Sequence, residues 1–194
     1  MRNATTFPEG RDFDVLCLGR FAVDFYAQQI GARLEDVASF AKYLGGSSAN
    51  TAFGCARLGL KTGDVVRASS RSRALLVTGT HFSTPHVDRV SHAALERARR
   101  HGVRTVLDID YRPVLWGLTK SRGDGETRYI RSDTVTAHLQ RILPRFDLVI
   151  GTTEEYAIAG GSTDLVEALR AIRRLTPATL VVKRGALGCA VIAG

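Results

Sequence analysis

Five short runs in this chain are apolar almost from end to end: Phe13–Gly19, Ala74–Gly79, Arg104–Ile109, Asp147–Gly151 and Thr179–Lys183. Each is too short for a typical helix, and a strand with one face in water would alternate instead. Continuous runs of this kind suit strands buried on both faces, as in a parallel sheet. The stretches between them carry helical periodicity at Ser48–Leu58, Pro85–His101, Ser132–Leu143 and Thr163–Leu175. Gly59 and Gly102 close two of these, and Ser132 or Asp133 can cap a third. The expectation is an α/β fold: a doubly wound, mainly parallel sheet flanked by helices. Asp24–Ala27 reads as a continuation of the first strand, and Leu34–Leu44 as an amphipathic stretch. Lys61–Arg73 departs from the alternation, starting strand-like at Asp64–Val66 and becoming a short basic, serine-rich link that composition alone reads as a surface loop.

Composition narrows the function classes. The 194 residues, 44% hydrophobic and 24% charged, match a soluble globular domain. The net charge of +8 comes from scattered arginines such as Arg97, Arg99 and Arg100. No basic run is interleaved with aromatics, so the charge argues for a generic basic surface rather than a nucleic-acid partner. Cys17, Cys55 and Cys189 stand far apart, which reads as buried free thiols in a reducing compartment. Met1–Arg11 lacks the apolar core of a signal peptide, and no segment approaches a membrane span. A cytoplasmic protein without membrane contact is expected.

Parallel sheets bind ligands beyond the carboxyl ends of their strands, so the polar residues there are the candidates. Lys42–Ala52 runs a double glycine, Gly45–Gly46, into a small-residue helix with Asn50 one turn inside. Glycines allow close approach of a ligand, the helix start offers unpaired N–H groups, and Asn50 can both donate and accept. The alternative is a tight turn before a closely packed helix. Asp108, Asp110 and Arg112, followed by Trp116, end the third run. Arg112 can orient a phosphate or carboxylate through its planar fork, or simply pair with Asp108 or Asp110. Gly151-Thr152-Thr153-Glu154-Glu155 ends the fourth, and its carboxylates can cap a helix or help hold magnesium. Val182–Cys189 places Lys183 before a glycine-bearing hairpin turn that would also suit a nucleotide.

In this order, these segments resemble the ribokinase or PfkB family of carbohydrate kinases. Gly19 with Asp24 is similar to the family's opening substrate motif, Gly45-Gly46 with Asn50 to its first signature, and Asp108 through Arg112 to Trp116 to its aspartate–arginine motif. Lys183 with Gly185 and Gly188 is similar to the nucleotide-side Lys-x-Gly-x-x-Gly turn. The family's Asn-x-x-Glu motif, laid on Gly151–Glu154, keeps only Glu154. Within the family, residues 19–29 and 107–117 most resemble the branch that acts in myo-inositol catabolism. The resemblance implies ATP-dependent phosphorylation of a sugar or sugar acid hydroxyl, with 5-dehydro-2-deoxy-D-gluconate as substrate and its 6-phosphate as product. Asp24, Gly45, Gly46, Asn50 and Arg112 would bind substrate, Lys183, Gly185 and Gly188 the nucleotide, and Glu154 the Mg2+ shell. The family's lid takes part in dimer contacts, so a homodimer is a further expectation.

The family's catalytic turn, Gly-Ala-Gly-Asp at a helix start, occurs nowhere in these 194 residues. Val66-Arg67 also passes almost at once to the Ala74 run, where the family carries further strands and part of its lid. The expectation is therefore a partial kinase domain over residues 1–194, with an internal deletion near 62–73, no C-terminal part and no catalytic aspartate of its own. The alternative function is a catalytically inactive remnant that at most binds substrate or an intact partner.

Overall fold

Parallel strands need long crossovers, and the helices between the apolar runs supply them. The computed structural model describes residues 7–63, 71–119 and 129–194. Along the chain lie β1 (Phe13–Leu18), β2 (Ala22–Ala27), β3 (Phe40–Gly45), α1 (Ser47–Arg57), β4 (Thr62–Gly63), β5 (Ser72–Thr78) and α2 (Pro85–Arg100). Then follow β6 (Arg104–Asp108), α3 (Asp133–Ile142), β7 (Leu148–Thr152), α4 (Thr153–Gly160), α5 (Leu165–Leu175), β8 (Thr179–Lys183) and β9 (Cys189–Ile192). Among the described residues the main sheet has the order β4-β1-β5-β6-β7-β8-β9, parallel except for β9. The mainly parallel sheet flanked by helices agrees with the sequence reading.

Alternate residues of each strand go to opposite faces. Leu16, Leu18, Leu75, Val77, Leu107, Val149, Leu180 and Val182 pack with Leu95, Leu139, Ile142, Ile158 and Ile172 from α2 to α5, forming the larger core. The other face is thinner: Cys17, Ala74, Leu76 and Val106 are buried, with Ala52 of α1 against them. Toward the far edge this face opens, with Leu148, Ile150 and Val181 half-buried and Val191 65% exposed.

Two local readings are corrected. Asp24–Ala27 does not extend β1; it belongs to β2, which pairs antiparallel with β3 in a separate two-stranded sheet. The amphipathic stretch at 34–44 resolves into a single 3-10 turn, Leu34–Asp36, followed by β3. Aromatics on both faces hold this small sheet: Phe25 meets Phe40 edge-on at 6.3 Å, and Tyr26 meets Tyr43 at 5.3 Å on the opposite side. Such cross-strand pairs stabilise a hairpin-like ladder that has no core beneath it.

Ser132, not Asp133, caps α3, accepting from the Val135 N–H at 3.3 Å. Cys17 is buried as expected, but Cys189 is exposed because it opens the edge strand β9. Asp64–Val66 lie outside the described residues. No helix among the described residues is long and apolar enough to cross a membrane.

The edge strand is fastened by one side chain. Arg173 at the end of α5 donates to the carbonyls of Ala178 (2.8 Å) and Ala193 (3.1 Å), with longer bonds to Thr176 and Ile192. Arg173→Ala should therefore cost about 1–3 kcal/mol, the usual range for hydrogen bonds to a charged group, measured as a lowered urea midpoint with an unchanged slope.

Candidate active site

The sheet order reverses at β1, with β4 on one side and β5 on the other, and ligand crevices form at such a switch point. Strand register sets what gathers there. Thr78 lies beside Asp108 and Asp108 beside Ile150, while Thr152 lies beside Lys183 two residues further along, so β5 to β8 all end in polar residues, in two steps of height.

These side chains make a connected array. Gly19, just past β1, is so closely flanked by Ser48 and Thr78 that an added Cβ would lie 2.7 Å from the Ser48 Cβ and 2.8 Å from the Thr78 Oγ1. Thr78 Oγ1 is 2.9 Å from Thr80 Oγ1, which donates to Asp110 Oδ2 at 3.3 Å. Arg112 Nε donates to the other Asp110 oxygen at 3.2 Å. Asp110 is buried and holds a left-handed backbone, φ 37°, which an aspartate tolerates better than most residues. Beside it, Lys183 Nζ is 2.9 Å from Asp108 Oδ1 and 3.9 Å from Glu155 Oε2.

The sequence-derived residues fall into two groups. Asp24, Gly45 and Gly46 come together where β2 and β3 meet α1. A Cβ on Gly45 would collide with the Asp24 carboxylate, and one on Gly46 with the Arg20 carbonyl. Gly46 also sits at φ 90° as the N-cap of α1, so the glycine is required twice over. Asn50 is exposed in the first turn of that helix. Lys183 and Arg112 belong instead to the carboxylate array at the sheet end. Arg112 pairs with Asp110, and Lys183 turns back onto Asp108, away from the Gly185–Gly188 turn. In that turn Gly185 and Gly188 have open space where side chains would project.

Glu154 is placed apart from this array, beside Tyr129, Thr153, Ala157, Thr163 and Leu165. Its neighbour Glu155 takes the inward position, because Thr152 and Glu155 form a capping box: Thr152 N–H donates to Glu155 Oε2 at 2.7 Å, and Thr152 Oγ1 accepts from the Glu155 N–H. Glu155 Oε1 accepts from the Tyr111 N–H at 3.2 Å. Sequence reasoning passed over Thr78 and Thr80, and of the Glu154–Glu155 pair it carried only Glu154 forward as the metal residue. The Thr-x-x-Glu spacing of a capping box was the available signal for Glu155; threonines at a strand end carry no comparable mark.

Burial pushes the carboxyls of Asp108 and Glu155 above their ordinary range, opposed at Asp108 by Lys183 and at Glu155 by the Thr152 N–H and then Lys183. Burial also works against the charge on Lys183, but Asp108, Glu155 and Asp110 outweigh it and hold that pKa above the usual lysine value. Tyr111 is pushed up to about 12 by burial and by Tyr129. The array is thus a set of carboxylates kept near neutral balance by one lysine and one arginine. Oxygen donors with movable counter-cations are suited to receive a metal–polyphosphate group.

The mainly parallel sheet with a two-stranded sheet beside it is an architecture shared with solved structures. Among solved structures, a PfkB protein from Polaromonas sp. JS666 superposes with a TM-score of 0.72 at 18% identity, over 94% of this chain and 82% of that one. A fructokinase from Vibrio cholerae O395, solved with fructose, ADP and calcium, gives 0.70 at 17% identity over 93% and 74%. By sequence, 5-dehydro-2-deoxygluconokinase of Bacillus anthracis is 26% identical over 222 residues, covering 79% of this chain. The enzyme of the same name from Bacillus licheniformis is 23% identical over 255 residues, covering 94% of this chain and 74% of the relative. No protein-family model matches the chain. The chain spans 63% of the length of the Bacillus anthracis relative. Its fold is that of the ribokinase-like PfkB kinase structures, and its sequence is similar to enzymes named 5-dehydro-2-deoxygluconokinase.

Lys183→Met would leave Asp108 and Glu155 facing each other without their shared cation. Lys183 is 42% exposed, so the loss at pH 7 should be about 1–2 kcal/mol rather than that of a fully buried pair. The pKa values of both carboxyls rise further in this variant, so the folded state takes up protons before the unfolded state does as pH falls. The stability deficit against wild type should therefore narrow between neutrality and about pH 4, read from urea midpoints across that range.

Proposed function

We propose that the protein phosphorylates a hydroxyl of a sugar acid with ATP, its substrate being 5-dehydro-2-deoxy-D-gluconate. What supports this reading is a pair of polar clusters, the Asp24–Gly45–Gly46 corner and the Asp108–Asp110–Arg112–Glu155–Lys183 array, with Gly19 between Ser48 of α1 and Thr78, which leads through Thr80 to Asp110. The Asp24 carboxylate, with Asn50, would accept and donate to substrate hydroxyls, while Gly45 and Gly46 keep the corner open. Arg112 would exchange its bond to Asp110 for the transferring phosphoryl group, and the open Gly185–Gly188 backbone would take the nucleotide. Glu155, Asp108 and, at longer range, Glu154 are oxygen donors of the type Mg2+ prefers. No group of three or more metal-binding side chains occurs among the described residues, so the phosphates would complete the ion's shell. When bound, magnesium neutralises phosphate charge; the protein's share is positioning, which is most of what phosphoryl transfer requires.

The names of the relatives support the substrate, and the ADP-bound neighbour supports the nucleotide. A partial domain is part of the proposal. The alignment with the Bacillus anthracis relative, 222 positions, is longer than this whole 194-residue chain, which supports internal shortening; its place near 62–73 is part of the proposal. A homodimer through the outer face of the small sheet is also proposed, where Val23 and Phe25 are 58% and 62% exposed.

Binding without turnover is the second reading, favoured by the lack of a Gly-Ala-Gly-Asp turn in these 194 residues. Calorimetry with the sugar acid, alone and with ATP, joined to an ADP-release assay, separates the two. Asp24→Asn should weaken sugar-acid binding by about ten- to a hundredfold and leave ATP binding unchanged, as expected for loss of a charge-assisted hydrogen bond. ADP release at about 1–100 per second would establish the kinase reading for this chain; rates about 10²–10⁴-fold lower, with binding retained, would establish the second.

A further inference from the structure

A cleft among the described residues is at the opposite end of the sheet from the candidate active site. It has a volume of about 730 Å3 and lies at the amino ends of β6 and β7, walled by the N-terminal residues Phe7 and Pro8. Leu95, Val103 and Phe146 line it but are almost wholly buried, so its accessible apolar surface comes from Phe7, Pro8 and Pro144 at the walls. Five charged side chains line it, and their pairing decides what it can hold. Glu96 is engaged by Arg100, 3.2 Å away on the same helix. Asp147 is fully committed: one oxygen accepts from Arg104 at 2.8 Å, and the other from the Thr105 N–H at 2.9 Å and its hydroxyl at 3.2 Å. Both acids are therefore spent, whereas Arg99 and Arg145 have no carboxylate partner among the described residues.

A cleft of this size with apolar patches on its walls suits the body of a small organic molecule. Two guanidinium groups without counter-charge suit an anion, and a phosphate monoester offers a dianion with three oxygens to share between two forks. We infer that this cleft is a second ligand site, for a small phosphate monoester whose apolar or aromatic body lies against Phe7, Pro8 and Pro144 while Arg99 and Arg145 hold its phosphate. The site shares no residue with the candidate active site and does not depend on the kinase reading.

Phenyl phosphate is the probe, with phenol and inorganic phosphate as its two halves, titrated calorimetrically at fixed ionic strength against the full chain. Phenyl phosphate should bind at least about tenfold more tightly than either half, because the cleft rewards both ends at once. Arg99→Ala with Arg145→Ala should weaken it by about tenfold or more, while Arg112→Ala, at the far end of the sheet, should change it by less than about twofold. Should the alanine pair unfold, Arg99→Lys with Arg145→Lys keeps the charge and removes the planar forks, and should still weaken binding by several fold. Absence of phenyl phosphate binding, affinity unchanged in the arginine variants, or loss of binding in Arg112→Ala would each overturn the inference.

Discussion

Everything at the candidate active site hangs on the register of four parallel strands. Parallel pairing sets Thr78 beside Asp108 and Thr152 beside Lys183, so that the polar residues ending these strands gather at one end of the sheet. A slip of one residue in β6 would turn Asp108 to the other face and bring apolar Leu107, now fully buried, out of the larger core. The register is therefore enforced by the burial of Leu107, Val149 and Leu180 under α2 to α5, far from any polar chemistry. The carboxylates tolerate their crowding because core packing has already fixed the strands that carry them.

The same dependence explains which parts were legible in the sequence. Strands of the main sheet are buried on both faces, so they read as unbroken apolar runs, and all five runs became strands. β2 and β3 were not legible because neither has a core: Phe25 and Tyr26 point to opposite faces, and each finds an aromatic partner only across the ladder. Pattern arguments that look for one buried face have nothing to detect in such a pair. Asp24, Gly45 and Gly46 were nonetheless recognised as candidates, and the structure brings these three together. What the sequence could not show was how they meet, with the Asp24 carboxylate filling the space a Gly45 side chain would need.

At the sheet end, residue types were legible and their partners were not. Arg112 was open to pairing with Asp108 or Asp110, and three-dimensional proximity chose Asp110, whose left-handed backbone turns its carboxylate toward both Thr80 and Arg112. Glu154 and Glu155 are adjacent in sequence but separated by about 100° around a helix. Counting the motif from Gly151 selects Glu154; counting from Thr152, where α4 is capped, brings Glu155 into the array. One residue of offset at a helix start decides which carboxylate faces a ligand, and helix starts are set by capping geometry rather than by composition.

The unevenly covered sheet gives the net charge of +8 a role beyond ligand attraction. Half-buried Ile150 and Val181 and the exposed Val191 form a sticky strip along one face. Copies of a molecule with such strips are kept apart in solution by mutual repulsion, which acts over about 10 Å at 0.1 M salt and over only about 3 Å at 1 M. The arginines scattered over the helices thus act as a colloidal stabiliser, and the dispersion of this protein is set by the ionic strength around it as much as by its fold.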